Sequence, residues 1–371
     1  MNITAKTHFN ILDGLRGAAA LMVVWYHVFE GFAFAAGTGI ETFNHGYLAV
    51  DFFFMLSGFV MSYAYDDRWS KGLSTKEFFK RRLIRLHPMV VMGAIIGTVS
   101  FLASGSLRWD GTTTSFGWVL LAMFMGMLLI PAWPGAGYDV RGNGEMYSLN
   151  GPSWSLFFEY IGNLLYALFI RKLSGRGLGI LCGIMGLLLG WYAIADISTY
   201  GMIGVGWTLD AVNFGGGLIK MLFPFTLGMV LARNFKPLKV SGIFWIAIAA
   251  LFAAFSVPYI PACGEICLNG VYEMLCIILI FPMIVWLGAS GSTTAPFSSR
   301  TCNFLGAISY PLYIVHYPVM YLFYQWLIKE QIYTLGECWP VVLGVMGTSV
   351  LLALITLKFW ETPLRKWLGN K

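Results

Sequence analysis

The chain has 371 residues, 58% of them apolar and 16% aromatic, with only 11% charged and a mean hydropathy of +0.70. Soluble proteins carry about 25% charged residues, and soluble domains of this total length need far more surface charge than 24 basic and 18 acidic side chains supply. Soluble, disordered and nucleic-acid-binding classes are therefore excluded: the net charge of +6 is small and, as shown below, sorted along the chain.

Long unbroken apolar runs, rather than alternating segments of about ten residues, predict a helical membrane bundle and not a β-barrel. The polar stretch Met1 to Asn10 lacks the features of a secretory signal, so the first apolar run is expected to stay as a helix. Eleven runs follow in chain order, at 11–30, 47–65, 88–104, 116–131, 154–170, 178–195, 217–232, 241–257, 271–289, 303–328 and 339–360. Most Lys and Arg fall before the first run, after the second, fifth and seventh, before the tenth and at the C-terminus. The other loops are acidic or nearly uncharged. By the positive-inside rule the basic loops and both termini are cytoplasmic. Eleven crossings would place Arg171, Lys172 and Arg176 on the wrong face, so one run does not cross. The run 116–131 is the candidate, because it is the shortest and ends at Pro131. The fold expected is all-α, about ten transmembrane helices plus one re-entrant or non-spanning helix, in one domain over 1–371 without a fused soluble domain.

Of the six cysteines, Cys263 and Cys267 share an outer loop and are open to two readings, a disulfide or two free thiols. No Cys/His spacing resembles a metal site.

Ionisable groups inside spans are costly in lipid and mark a functional site or a buried network. They are Asp13, Arg16, His27, Asp51, Glu159 and His316. Arg16 and His27, eleven positions apart, share a helix face and lie ~16 Å apart in depth. That stripe offers a cation near the cytoplasm and an imidazole deeper in the membrane; a snorkelling Arg and a satisfied His are the structural alternative. Asp51 begins the second run at about the depth of His27 and is placed to orient that imidazole, or else to tie two helices together. Glu159, in the segment Asn150 to Glu159, is read as lying in the outer half of the membrane. His316 lies in a span expected to be broken by Pro311 and Pro318, where freed backbone lines a cavity. On the cytoplasmic side Arg82 and Arg85, three apart in a basic segment, either set topology and bind anionic lipid or hold a phosphate-rich ligand in bidentate fashion.

Together these segments resemble the acyltransferase-3 family of integral membrane acyltransferases, which modify bacterial surface and secreted glycans. The resemblance rests on Arg16-x10-His27, Arg82-x-x-Arg85, Asp-Phe-Phe-Phe-x-Leu-Ser-Gly-Phe from Asp51, Trp-Ser-Leu-x-x-Glu ending at Glu159, and Ser-x-x-Leu-Tyr-x-x-His ending at His316. It implies a ten-helix fold in the inner membrane of a bacterium, acyl-CoA as the cytosolic donor with acetyl-CoA expected, and His27 as the residue closest to the chemistry. On this reading Arg16, Arg82 and Arg85 hold CoA phosphates and His27 is the base or acyl carrier. Asp51 orients it, and Glu159 and His316 serve the acceptor site or a proton relay. The acceptor is a glycan or a lipid-linked sugar precursor, with no metal. Two further readings were weighed: a proton-coupled transporter or flippase built on the same ionisable groups, against which no inverted repeat is evident, and a structural subunit of a polysaccharide-export assembly.

Overall fold

Thirteen helices succeed one another with no β-strand among the described residues: α1 Asn10–Ala36, α2 Ala49–Ser70, α3 Thr75–Ala103, α4 Phe116–Met127, α5 Ser153–Leu168, α6 Gly175–Ile194 and α7 Ala211–Arg233, followed by α8 Ile243–Ser256, α9 Leu268–Leu275, α10 Phe281–Ser290, α11 Pro296–Glu330, α12 Leu335–Thr356 and α13 Thr362–Gly369. This computed structural model describes residues 8–38, 43–238, 240–293 and 295–369. Single π-helical stretches join α9 to α10 and α12 to α13. Helix starts carry the expected caps. The Ser74 side chain accepts from Glu77 N–H before α3, Asp210 accepts from Asn213 N–H before α7, and Thr334 with Glu337 forms a capping box at α12.

Eight segments are long and apolar enough to cross a bilayer. They leave out α11, which at 35 residues is ample in length but carries Tyr313, His316, Tyr317, Tyr321 and Tyr324 on its buried face. They also leave out α8, 14 residues or ~21 Å, against a hydrocarbon core of ~30 Å. The eight segments, with α11 and α8 set apart for these reasons, compare with the ten expected. At 12 residues, ~18 Å, α4 is too short to span, in keeping with the reading of 116–131 as the exception.

The packing partners differ from sequence order. α1 lies chiefly along α11, and α2 along α7. Both seams depend on glycine. A Cβ on Gly17 would stand 2.1 Å from the Leu305 carbonyl oxygen, and one on Gly58 1.9 Å from that of Phe225. Small residues of this kind let helix backbones approach in lipid, where no hydrophobic drive between helices exists. α11 also runs unbroken through Pro311 and Pro318, so the break expected there is not seen. Neighbouring helices satisfy backbone around these prolines: Ser100 Oγ donates to the Pro318 carbonyl at 2.7 Å.

Between α4 and α5 the chain folds back into the bundle instead of staying outside. A Cβ on Gly97 of α3 would meet the Leu149 carbonyl at 2.1 Å, and one on Gly93 the Asn150 side chain at 2.4 Å. α5 therefore starts below the ends of its neighbours. All six cysteines are free thiols. Cys263 is exposed, while Cys267 is buried and its sulfur accepts from Gly270 N–H at the start of α9.

Replacing Gly17 or Gly58 by Ala forces these seams apart, an overpacking cost of about 1–3 kcal/mol each. Thermal melting of the detergent-solubilised protein is expected to show a lowered midpoint for both. Gly117→Ala in α4, where nothing lies within 4 Å of the new methyl, should melt as the unsubstituted protein does.

Candidate functional site

Three groups of buried polar side chains stand out. The first surrounds a cavity of about 430 Å³ between α1, α2, α3, α5 and α11. Exposed Arg68 and Arg85 stand at one end and buried Ser155 and Tyr313 at the other. Arg16 of α1 pairs with Asp13 at 3.0 Å, one helical turn away. Arg82 of α3 reaches across to Glu159 of α5 at 2.7 Å, and Ser57 Oγ donates to the same carboxylate oxygen at 3.1 Å. Arg85 lines the cavity and makes no ion pair among the described residues. Four guanidinium groups, those of Arg16, Arg68, Arg82 and Arg85, thus line one cavity; two are braced by carboxylates, and Arg68 and Arg85 make no ion pair among the described residues.

The second group lies along the seam of α1 and α11. The His27 and His316 rings are 5.3 Å apart between centroids and tilted by 30°. His27 Nδ1 donates to Glu30 Oε2 at 2.6 Å, one turn further along α1. Glu30 also accepts from the hydroxyls of Tyr324 at 2.8 Å and Tyr317 at 3.3 Å, both on α11. With its Nδ1 proton assigned to Glu30, His27 carries its lone pair on Nε2. His316 is fully buried; its Nδ1 donates to the Leu312 carbonyl at 3.1 Å, and its Nε2 has no partner. A buried acceptor without a donor costs free energy unless something supplies the proton. The two imidazoles so lie with their rings adjacent, each with its Nε2 unengaged and one of them backed by a carboxylate.

The third group joins α2 to α7. Asp51 and Lys220, both essentially unexposed, form an ion pair at 3.3 Å, and Lys220 Nζ donates to the Ile203 carbonyl at 2.6 Å. Glu273 accepts from Ile203 N–H at 3.0 Å and from the Tyr47 hydroxyl. Asn269 bridges Tyr47 and His45. Apart from the Asp51 carboxylate, held by its ion pair alone, these groups are engaged in tying α2, α7, α9 and the 197–207 loop together.

Two expectations are corrected by this arrangement. Asp51 does not orient His27, because α2 turns its polar face to α7 rather than to α1; Lys220 takes the carboxylate and Glu30 takes the imidazole. Glu159 does not sit among outer-half groups, because the inward fold of 146–152 starts α5 deep in the bundle, so six residues later the chain is level with Arg82. Glu30 and Lys220 were missed from the sequence. Glu30 lies on the first run's last position and reads as a loop acid, yet its spacing of three from His27 is the signal of a shared face. Lys220 lies inside an apolar run, where a cation is itself the signal.

Residues 9–358 match the acyltransferase domain that defines the acyltransferase-3 family. The chain is 26% identical over 96% of its length to the peptidoglycan O-acetyltransferase OatA of Listeria monocytogenes, covering 55% of that protein, and 25% identical over 96% to a putative O-acetyltransferase of Staphylococcus aureus, covering 57%. It thus spans little more than half of each. Over 45% of the chain it is 33% identical to protein 2 in the picA locus of Rhizobium radiobacter, covering 85% of that protein. No solved structure matches.

Breaking a buried ion pair by removing one partner costs about 3–5 kcal/mol. Lys220→Met is expected to lower thermal stability by that order, and Asp51→Asn added to it to recover part of the loss. Melting of the single and double variants in detergent measures both; equal stability of Lys220→Met and the unsubstituted protein would refute the structural role.

Proposed function

The chain belongs to the acyltransferase-3 family and is a multi-pass membrane acyltransferase; on that premise we propose that it moves an acyl group, acetyl in the first instance, from cytosolic acyl-CoA to a hydroxyl of a glycan or of its lipid-linked precursor. The observation that supports this is the continuity of the site. A cavity opens at Arg16, Arg82 and Arg85 and ends at Tyr313, one helical turn from the His27–His316 pair. On this reading the arginine end faces the cytoplasm across a bacterial inner membrane, which the positions of the basic loops support. The names of the relatives agree with an O-linked acceptor.

The arginine set fits a phosphate-rich donor. Guanidinium binds phosphate through a planar fork of donors, and Arg85 has its fork unengaged. Arg82 and Arg16 are held in place by Glu159 and Asp13. The donor, when bound, supplies a thioester. His27 Nε2 then takes the proton of the acceptor hydroxyl as its oxygen attacks the thioester carbon. The ester C–O bond forms, the C–S bond breaks, and His27 returns the proton to the departing sulfur. Glu30 holds the ring so that Nε2 faces the reaction and stabilises the imidazolium formed in between. His316 Nε2, a buried acceptor, takes a hydrogen bond from the acceptor hydroxyl or from the protonated His27.

Free-thiol release from acetyl-CoA, with an oligosaccharide acceptor and purified protein, tests the reading. His27→Ala is expected to lower kcat by about 10²–10⁴, and Glu30→Gln to lower kcat with donor KM unchanged. Arg85→Ala is expected to weaken acetyl-CoA binding by up to about tenfold, the range for a partly exposed charged contact, with kcat at saturation retained. No thiol release by the unsubstituted protein, or normal turnover by His27→Ala, would overturn the assignment.

A further inference from the structure

We propose that the Tyr313 hydroxyl is the hydrogen-bond donor to the thioester carbonyl oxygen of the acyl donor. This rests on the acyl-CoA reading above and assigns the residue that polarises the donor's reacting carbon.

The argument is one of elimination among the hydroxyls near the closed end of the cavity; Tyr63 and Tyr65, which also line it, lie on α2 towards Arg68 at the other end. Tyr310 donates to the Leu86 carbonyl at 2.6 Å. Ser309 donates to the Gly306 carbonyl at 2.8 Å, and Ser57 to Glu159. Ser155 donates to the Pro152 carbonyl at 3.0 Å. Each of these protons already has a carbonyl or carboxylate acceptor within the protein, and turning it to a ligand gives up that hydrogen bond. Tyr313 differs. Its hydroxyl meets Ser155 Oγ at 2.7 Å, and with the Ser155 proton assigned to the Pro152 carbonyl, the Tyr313 hydroxyl is assigned as the donor of that pair. Swapping Ser155 Oγ for a carbonyl oxygen leaves Ser155 still bonded to Pro152, so the exchange costs little.

Position agrees with this. Tyr313 is buried, forms part of the cavity wall, and its ring lies 6.1 Å from that of His316, three residues along the same helix. Phe53 packs edge-on against it at 5.5 Å and fixes its plane. A carbonyl held by this hydroxyl lies between the arginine-lined end of the cavity and the imidazoles. Negative charge gathers on that oxygen as the acceptor adds to the carbonyl carbon, and a fixed O–H donor is aimed where it gathers. The bonds made and broken are those of the transfer already described; Tyr313 keeps its proton throughout.

The test compares acetyl-CoA with S-ethyl-CoA, a thioether of equal length without the carbonyl, binding to the full-length protein in detergent. The unsubstituted protein is expected to bind acetyl-CoA about two- to tenfold more tightly. In Tyr313→Phe the two ligands should bind equally, at the affinity of S-ethyl-CoA, while kcat for acyl transfer falls about 10²-fold. A purely structural tyrosine would weaken both ligands together and leave their ratio unchanged. Equal binding of the two ligands by the unsubstituted protein, or a Tyr313→Phe variant that keeps the ratio or the full kcat, overturns the proposal. If Tyr313→Phe does not fold, the ratio in the unsubstituted protein decides. Failure of the unsubstituted protein to bind either ligand would instead remove the acyl-CoA reading and this inference with it.

Discussion

The close approach of α1 to α11 is the constraint on which the site depends. Gly17 sits against the backbone of Leu305, and no larger residue fits without separating the helices. Ten residues further along α1 the same seam holds His27 beside His316, and beyond them Glu30 under the hydroxyls of Tyr317 and Tyr324. In lipid the association of two helices rests on such van der Waals contact and on interhelical hydrogen bonds. Here one seam supplies both, and the imidazole pair is set by it to within side-chain freedom.

Buried charge follows a second rule: each charged side chain inside the bundle is braced, and the brace differs with the task. Asp51 and Lys220 form an ion pair with each other, and Lys220 also donates to the Ile203 carbonyl. Arg82 and Glu159 are paired too, but at the wall of a cavity, where a guanidinium keeps donors to spare. His27 has a carboxylate on one ring nitrogen and an open lone pair on the other. Membrane burial makes an unpaired ion costly. A site in this solvent is therefore legible as the place where polar groups are half satisfied.

Much of this could be read from the chain. The apolar runs and basic loops gave the helical membrane fold and singled out 116–131 as the short helix, since length and charge are properties of segments. Arg16, His27, Glu159 and His316 were singled out because an ionisable residue in an apolar run has few structural explanations, and Arg82 and Arg85 because they stand three apart in a basic segment. Which of them face each other was not legible. Helix pairing is decided by glycine contacts such as Gly58 on Phe225, and these carry no periodic signal; hence Asp51 was directed to the wrong imidazole. Glu159 was placed at the wrong depth because an inward-folding loop is indistinguishable in sequence from an outer one. Glu30 was hidden by a boundary set six residues before the helix actually ends at Ala36.

The division of labour between helices has an evolutionary consequence. The imidazoles and their carboxylate ride on α1 and α11, whereas the wall of the cavity proposed for the donor is completed by α2, α3 and α5. Substitutions at cavity-wall positions such as Val50, Phe54 or Leu156 can reshape the chamber without touching the glycine-set seam. On the proposed reading, a lineage built on this scaffold is free to diversify the group it transfers while the imidazole pair stays invariant, and drift in the two need not be correlated.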